Sequence, residues 1–287
     1  MNKELEQKLI EKVKADPYCL KYIEQTKNIC LAAVTIDGFA LQYVKDKTKE
    51  VCLAAVKSNI TALKYIKNQT KDICLAAVEN DGRAIQHIKN KTKYLCLAAV
   101  RNNSDALEYI KEQTEEVCLA AVKKSGFALQ YVKKQNKKIC LEAVRHDGIA
   151  LNFVKDQTEE ICLAAVKNNG FALQLVKDQT PKICLLAVKQ TSEALKYVKH
   201  KTKRVCLEAL KDDFDVVSML NLNDRNIALI VLNASLYHKN KDKRILNIII
   251  GKFNKDQEVV DFYTKHKLWK YVDLSNLKLN VQYGMLL

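Results

Sequence analysis

A cysteine returns every 22 residues through most of this chain, at Cys30, Cys52, Cys74, Cys96, Cys118, Cys140, Cys162, Cys184 and Cys206. It marks a unit, typified by residues 29–50, ICLAAVTIDGFALQYVKDKTKE, that recurs until about Arg204. Self-similarity at a fixed period of this size is the mark of a repeat array, in which each unit buries its apolar face only by stacking on its neighbours. A chain of 287 residues would ordinarily suggest two domains, but a repeat filling most of it predicts one elongated body.

Two sets of punctuation divide each unit. Asp37, Asn59, Asp81, Asn103, Ser125, Asp147, Asn169, Thr191 and Asp213 form the first, and Thr48, Thr70, Thr92, Thr114, Asn136, Thr158, Thr180, Thr202 and Asp224 the second. All are helix N-cap residues, able to accept a bond from an otherwise unpaired first-turn N–H. Pro17 after Asp16 and Pro181 after Thr180 fit the same frame, at a first helical position where a missing N–H costs little. The reading is two helices of about nine residues per unit, joined by very short turns. Residues 51–56, VCLAAV, are apolar nearly all round and so buried on more than one face, whereas Ala40, Leu41 and Val44 turn inward from a second, amphipathic helix that leaves Gln42 and Lys45 outside. Glycine or serine after the first cap, as at Gly38, Gly82, Ser104, Gly126, Gly148, Gly170 and Ser192, suits a tight turn, although Ile60 breaks the rule. With only seven glycines and two prolines the class is all-α. The predicted architecture is an α-solenoid of about ten stacked two-helix repeats, ~90 Å long at roughly 8–10 Å per repeat, with capping helices at both ends.

Three regions follow. Residues 1–28 form a degenerate first repeat, with Leu9 at the cysteine position, Tyr18 at Phe39 and Tyr22 at Tyr43, and with lysines and glutamates on the face a cap turns to water. Residues 29–226 are the array. Residues 227–287 begin with a faded repeat, Ala228 standing where cysteine is due, and continue into a C-terminal helical cap. Helices are expected over 243–253 and 257–272, the latter capped by Asp256; Trp269, Tyr271 and the apolar end 274–287 form either a lid or a docking surface.

The unit, ICLAAVKxNGxALxYVKxQTxE in outline, resembles a helical repeat of unknown function found many times over in giant viruses of amoebae, mimivirus above all, and in some intracellular bacteria. The resemblance covers residues 29–204. It implies a repeat fold and a viral origin, which the Lys, Asn and Ile bias of an AT-rich genome also suits, and it carries no activity.

No nucleophile with a base, paired carboxylates, glycine-rich phosphate loop or metal-ligand spacing stands out, so no catalytic residue, metal or cofactor is expected. His87, His146, His200, His238 and His266 are scattered. Stacked repeats hold equivalent cysteines beyond the ~7 Å that a disulfide spans, and each lies in an apolar context without CxxC, which predicts reduced, buried, metal-free thiols. The N-terminus has no apolar signal region and no run reaches the ~18 apolar residues of a membrane span, so a cytoplasmic protein is expected: host cytoplasm, viral factory or virion.

The net charge of +15 points to an acidic partner. Two ladders frame the choice of partner. Lys45, Lys67, Lys89, Lys111, Lys133, Lys155, Lys177 and Lys199 either complement the dipole at the end of the second helix or form a basic ridge. Tyr43, Tyr65, Tyr109, Tyr131 and Tyr197, with Phe153, either pack between repeats or stack bases. Lys57, Arg101, Lys123, Arg145, Lys167, Lys189 and Lys211 make a second basic column, which Glu79 interrupts. Acidic clusters at Glu112, Glu115 and Glu116 and at Glu159 and Glu160 break any uniform phosphate track. One edge position varies freely, through Phe39, Thr61, Arg83, Asp105, Phe127, Ile149, Phe171 and Glu193. The expected function is a non-enzymatic scaffold for protein–protein interaction, with RNA or DNA binding through the lysine columns and tyrosine ladder as the alternative.

Overall fold

The computed structural model describes residues 2–236, 243–253 and 255–271. The apolar end at 274–287, His238 and the Trp269 side chain lie outside the described residues. The chain forms two compact bodies, Met1–Lys155 and Asp156–Leu287. The first opens with α1 (Lys3–Ala15) and continues with α2 (Lys27–Ile36), α3 (Lys49–Ser58), α4 (Lys71–Asn80), α5 (Lys93–Asn102), α6 (Glu115–Lys124) and α7 (Lys137–His146). The second contains α8 (Glu159–Asn168), α9 (Pro181–Gln190), α10 (Lys203–Asp212), α11 (Arg225–Ser235), α12 (Lys243–Lys252) and α13 (Gln257–Lys265). A six-residue 3-10 helix follows each of α1 to α10, from Pro17–Tyr22 to Phe214–Met219. Within each body, as far as α11, α-helix packs on the preceding α-helix and 3-10 helix on the preceding 3-10 helix, giving two layers with the core between them. This is an all-α solenoid, and no described residue is in a strand.

Both sets of caps start helices as the residues predict. Thr48 accepts a bond from the Val51 N–H, and Asp37 from the Phe39 N–H; Thr70, Ser125 and Thr191 occupy the cap position without such a bond. The second helix differs from expectation. It is a 3-10 helix of six residues, closed by bonds such as Ala40 N–H to Asp37 O and Val44 N–H to Leu41 O, and not an α-helix of about nine. The reason is distance: a ten-residue α-helix rises ~15 Å, and a return path of six residues climbs ~12 Å as 3-10 but only ~9 Å as α. Leu41 and Ala40 are wholly buried and Val44 nearly so, which preserves the inward face.

Glycine after the cap serves a different purpose from the one its position suggests. Among the described residues no glycine has positive φ, so the turn itself does not demand it. A Cβ on Gly82 would instead lie 2.2 Å from the Ala99 carbonyl oxygen of the next repeat, and one on Gly38 2.3 Å from that of Ala55. Glycine lets the C-terminal end of the neighbouring α-helix close on the 3-10 helix. Gly82→Ala is therefore expected to lower unfolding stability by about 2 kcal/mol through overpacking against backbone. A urea midpoint unchanged from the parent would refute this.

In the first body α1 buries Val13 and leaves its charged face in water. Glu6 ties it to the array by accepting bonds from Thr26 Oγ1 (2.6 Å) and Asn28 Nδ2 (3.2 Å). In the second body Ala228 fills the cysteine position and is fully buried. Asp256 caps α13 as expected, and Arg225 bridges it (2.7 Å) and Glu258. The helix expected over 257–272 stops at Lys265, where Lys267 turns left-handed (φ 52°) and a 3-10 turn, Leu268–Tyr271, follows.

Candidate interaction surface

The strongest inter-repeat contact is made by residues absent from the predicted site. Immediately before the second cap stand Gln25, Gln69, Gln113, Gln135, Gln157 and Gln179. Gln113 shows the full pattern. Its amide donates to Leu107 O (3.2 Å) in its own repeat and to Tyr131 O (2.9 Å) in the next, while its Oε1 accepts from the Lys133 N–H (2.9 Å) and the Cys118 thiol (3.9 Å). A primary amide has two donors and two strong acceptor sites, and all four are used. Gln179 repeats the set with Leu173, Tyr197, Lys199 and Cys184. Where Lys47, Lys91 and Lys201 replace glutamine, the ammonium donates only to its own repeat, at Val44 O, Ile88 O and Val198 O. The alternation of Gln and Lys in one column was the available signal; its meaning needed the neighbour's backbone.

This clamp sets the place of the lysine ladder. Lys45 and its equivalents lie in a bend beyond the 3-10 helix, past the Val44 C-cap, and not in a last helical turn, so the dipole explanation falls. The Gln side chains accept the backbone N–H of Lys45, Lys89, Lys133, Lys155, Lys177 and Lys199. Ammonium groups also fold back along the column: Lys89 to Lys67 O, Lys133 to Lys111 O (3.0 Å), Lys155 to Lys133 O, and Lys199 to Lys177 O (2.9 Å). The whole ladder remains exposed. It is the second column, Lys57, Arg101, Lys123, Arg145, Lys167, Lys189 and Lys211, that stands in last turns of α-helices, where positive charge meets the negative dipole end.

The tyrosine ladder packs. Tyr43, Tyr65, Tyr109, Tyr131 and Tyr197 are half-buried at the last residue of the 3-10 helices. Phe39 meets Tyr65, Phe127 meets Phe153 and Phe171 meets Tyr197 edge to face, with centroids 6.2 to 6.4 Å apart. Such T-shaped pairs are worth ~1 kcal/mol each beyond area burial. His87 takes a ring position in the same column, where burial first, then Lys64 and Lys91, hold its pKa below the ordinary value.

All ten cysteines are buried thiols outside any disulfide. Burial raises the pKa of Cys30, Cys52, Cys74, Cys96, Cys118, Cys162, Cys184 and Cys206 above the ordinary thiol value. The Cys column is thus a row of small apolar side chains that also donate, to Gln Oε1 or to a backbone carbonyl such as Lys47 O. Among the described residues no three His, Cys, Asp or Glu side chains converge as a metal site would require. No described helix is long and apolar enough to cross a membrane.

At the α-helix N-termini a ladder of ion pairs joins successive repeats: Lys27 with Glu50, Lys49 with Asp72, Lys93 with Glu116, and Glu115 with Lys138 (2.9 Å). All are solvent-exposed, so each contributes little. They orient neighbours more than they hold them.

Short α-helices alternating with 3-10 helices, clamped by side-chain amides and exposing regular columns of side chains, define a repeat protein of the α-solenoid class. The chain belongs to the family described as a domain of unknown function, DUF4116, which matches it six times, over residues 26–69, 48–93, 92–135, 114–158, 136–180 and 158–203. Each match covers two repeats and overlaps the next in the manner of a continuous array. No curated protein and no solved structure matches the chain.

Proposed function

We propose that this chain is a non-enzymatic scaffold that presents its 3-10 edge to a protein partner, and that it is a giant-virus protein working in the reducing cytoplasm of the host, in the viral factory or in the virion. One observation carries the reading. The second residue of each 3-10 helix keeps the same backbone while its chemistry changes from Phe39 to Thr61, Arg83, Asp105, Phe127, Ile149, Phe171 and Glu193, and all of these reach solvent, Phe127 with 40% of its surface. Specific recognition of a protein needs such a mixture of apolar anchors and charges. A phosphate reader would keep that edge basic. Lysines that fold back on carbonyls and tyrosines that stand edge to face also argue for internal roles of the two ladders. Ten thiols suit a reducing compartment, and the viral origin rests on the resemblance of the repeat.

The test is affinity capture from infected amoebae with and without nuclease, using the parent, Phe127→Asp, and the charge reversal Lys57→Glu, Arg101→Glu, Lys123→Glu. Partners should survive nuclease and be lost with Phe127→Asp, while the reversal leaves them in place. Phosphate contacts release counterions, so nucleic-acid affinity would fall steeply with salt. If nuclease strips every partner and the reversal abolishes RNA binding at ~0.15 M salt, the scaffold reading is wrong and nucleic-acid binding replaces it.

A further inference from the structure

The ion-pair ladder along the α-helix N-termini fails at one junction in the first body. Lys27, Lys49 and Lys93 each meet a carboxylate from the next repeat, at Glu50, Asp72 and Glu116. The residue that should supply a carboxylate to Lys71 is Tyr94, and the Lys71 Nζ lies 5.2 Å from its ring centroid. The adjacent acid, Asp72, is already paired with Lys49. At this point a cleft of about 450 Å³ opens, lined by Lys71, Lys89, Asn90, Thr92 and Tyr94 over the buried Cys74. Its lining includes two lysines and no acidic residue. Lys89 spends one long bond on Lys67 O (3.4 Å), which leaves its other N–H groups available. Thr92 caps the N-terminus of α5, whose dipole adds to the positive field. Tyr94 exposes 55% of its surface, a flat apolar face beside the Lys71 ammonium.

We propose that this cleft receives an aspartate or glutamate side chain from a protein partner, which takes the place that Glu50, Asp72 and Glu116 fill within the chain at the other junctions. The carboxylate lies between Lys71 and Lys89, and apolar residues flanking it in the partner rest on Tyr94. This rests on the scaffold reading and supplies the chemistry of one anchor point. A single half-enclosed carboxylate contact is weak alone, so the segment binds in the millimolar range and gains affinity from the edge contacts beside it.

The experiment titrates the ¹⁵N-labelled full chain with acetyl-Leu-Glu-Leu-amide, with its Leu-Gln-Leu counterpart, and with inorganic phosphate. The glutamate peptide should shift the amides of Lys89, Tyr94 and Leu95 saturably, and the glutamine peptide should bind at least about tenfold more weakly. Tyr94→Glu restores the internal carboxylate, so it should keep the fold and abolish the response; Lys71→Ala should abolish it too. Equal shifts from both peptides, an unchanged response in Tyr94→Glu, shifts spread over lysines along the whole array, or tighter saturable binding of phosphate than of the glutamate peptide would each overturn the proposal. The scaffold reading fails separately. If the parent captures nuclease-resistant partners and Tyr94→Glu keeps all of them, the cleft is wrong and the scaffold stands; if the parent captures none, the scaffold fails while the peptide titration still decides the cleft.

Discussion

Gln113→Ala is expected to lower the unfolding free energy by about 3 kcal/mol, more than any exposed substitution in the array. The truncation leaves Leu107 O, Tyr131 O and the Lys133 N–H without the partner they share. A polar group left unsatisfied away from water costs ~1–3 kcal/mol, and the half-buried site lets water repair only part of the loss. Gln113→Lys should cost less than half as much, because the chain already holds lysine at Lys47 and Lys91, donating to Val44 O (2.6 Å) and Ile88 O (2.8 Å). Urea unfolding of both variants measures the difference, and amide exchange at Lys133 should accelerate in the alanine variant before distant repeats respond. An alanine variant within ~0.5 kcal/mol of the parent, or a lysine variant that is the worse of the two, would remove the clamp from the account.

The second large effect is alkaline. Burial raises the pKa of Cys52, Cys74, Cys96 and the other thiols named above, in the folded chain, over the ~8.5 of an unfolded cysteine. Below that value both states hold the proton and the stability is fully present. As pH rises above it the unfolded chain ionises while the folded chain keeps its protons, so stability is lost, by up to ~1.4 kcal/mol per pH unit for each thiol unfolded together. A folded thiolate would also face Gln Oε1, to which Cys118, Cys162 and Cys184 now donate. Between pH ~8.5 and ~9.5, before tyrosines and lysines titrate, urea midpoints should fall steeply. The triple variant Cys52→Ala, Cys74→Ala, Cys96→Ala should start lower at pH 7.5 and fall with a shallower slope. A flat profile across that window, or an identical slope in the triple variant, would mean that the thiols ionise without opposing the fold.

These two effects meet in one place, since the thiol donates to the amide that joins the repeats. Cysteine at this position is small enough for the core, and unlike alanine it carries a proton to give. The Cys74 thiol donates instead to the backbone carbonyl of Gln69 (3.8 Å).

Much of this architecture is legible along one strand of text. The period, the helical class, both rows of caps, the inward face of Ala40, Leu41 and Val44, and the burial of the cysteines are local properties. They depend on a residue and its near neighbours, and the repeat states them nine times over. Four features needed the tertiary structure. Six residues such as 38–43 cannot distinguish a period of 3 from one of 3.6, so the 3-10 helix is chosen by the length of the return path beside the α-helix. Gly82 looks like a turn residue until the Ala99 carbonyl of the next repeat is seen against it. The glutamine column and the Lys71 cleft are the clearest cases, because a hydrogen bond from Gln113 to Tyr131 O, or an ammonium group whose partner 23 residues on is an aromatic ring, is defined by the register between stacked repeats. That register is fixed by packing across repeats, a three-dimensional condition that no single 22-residue unit contains.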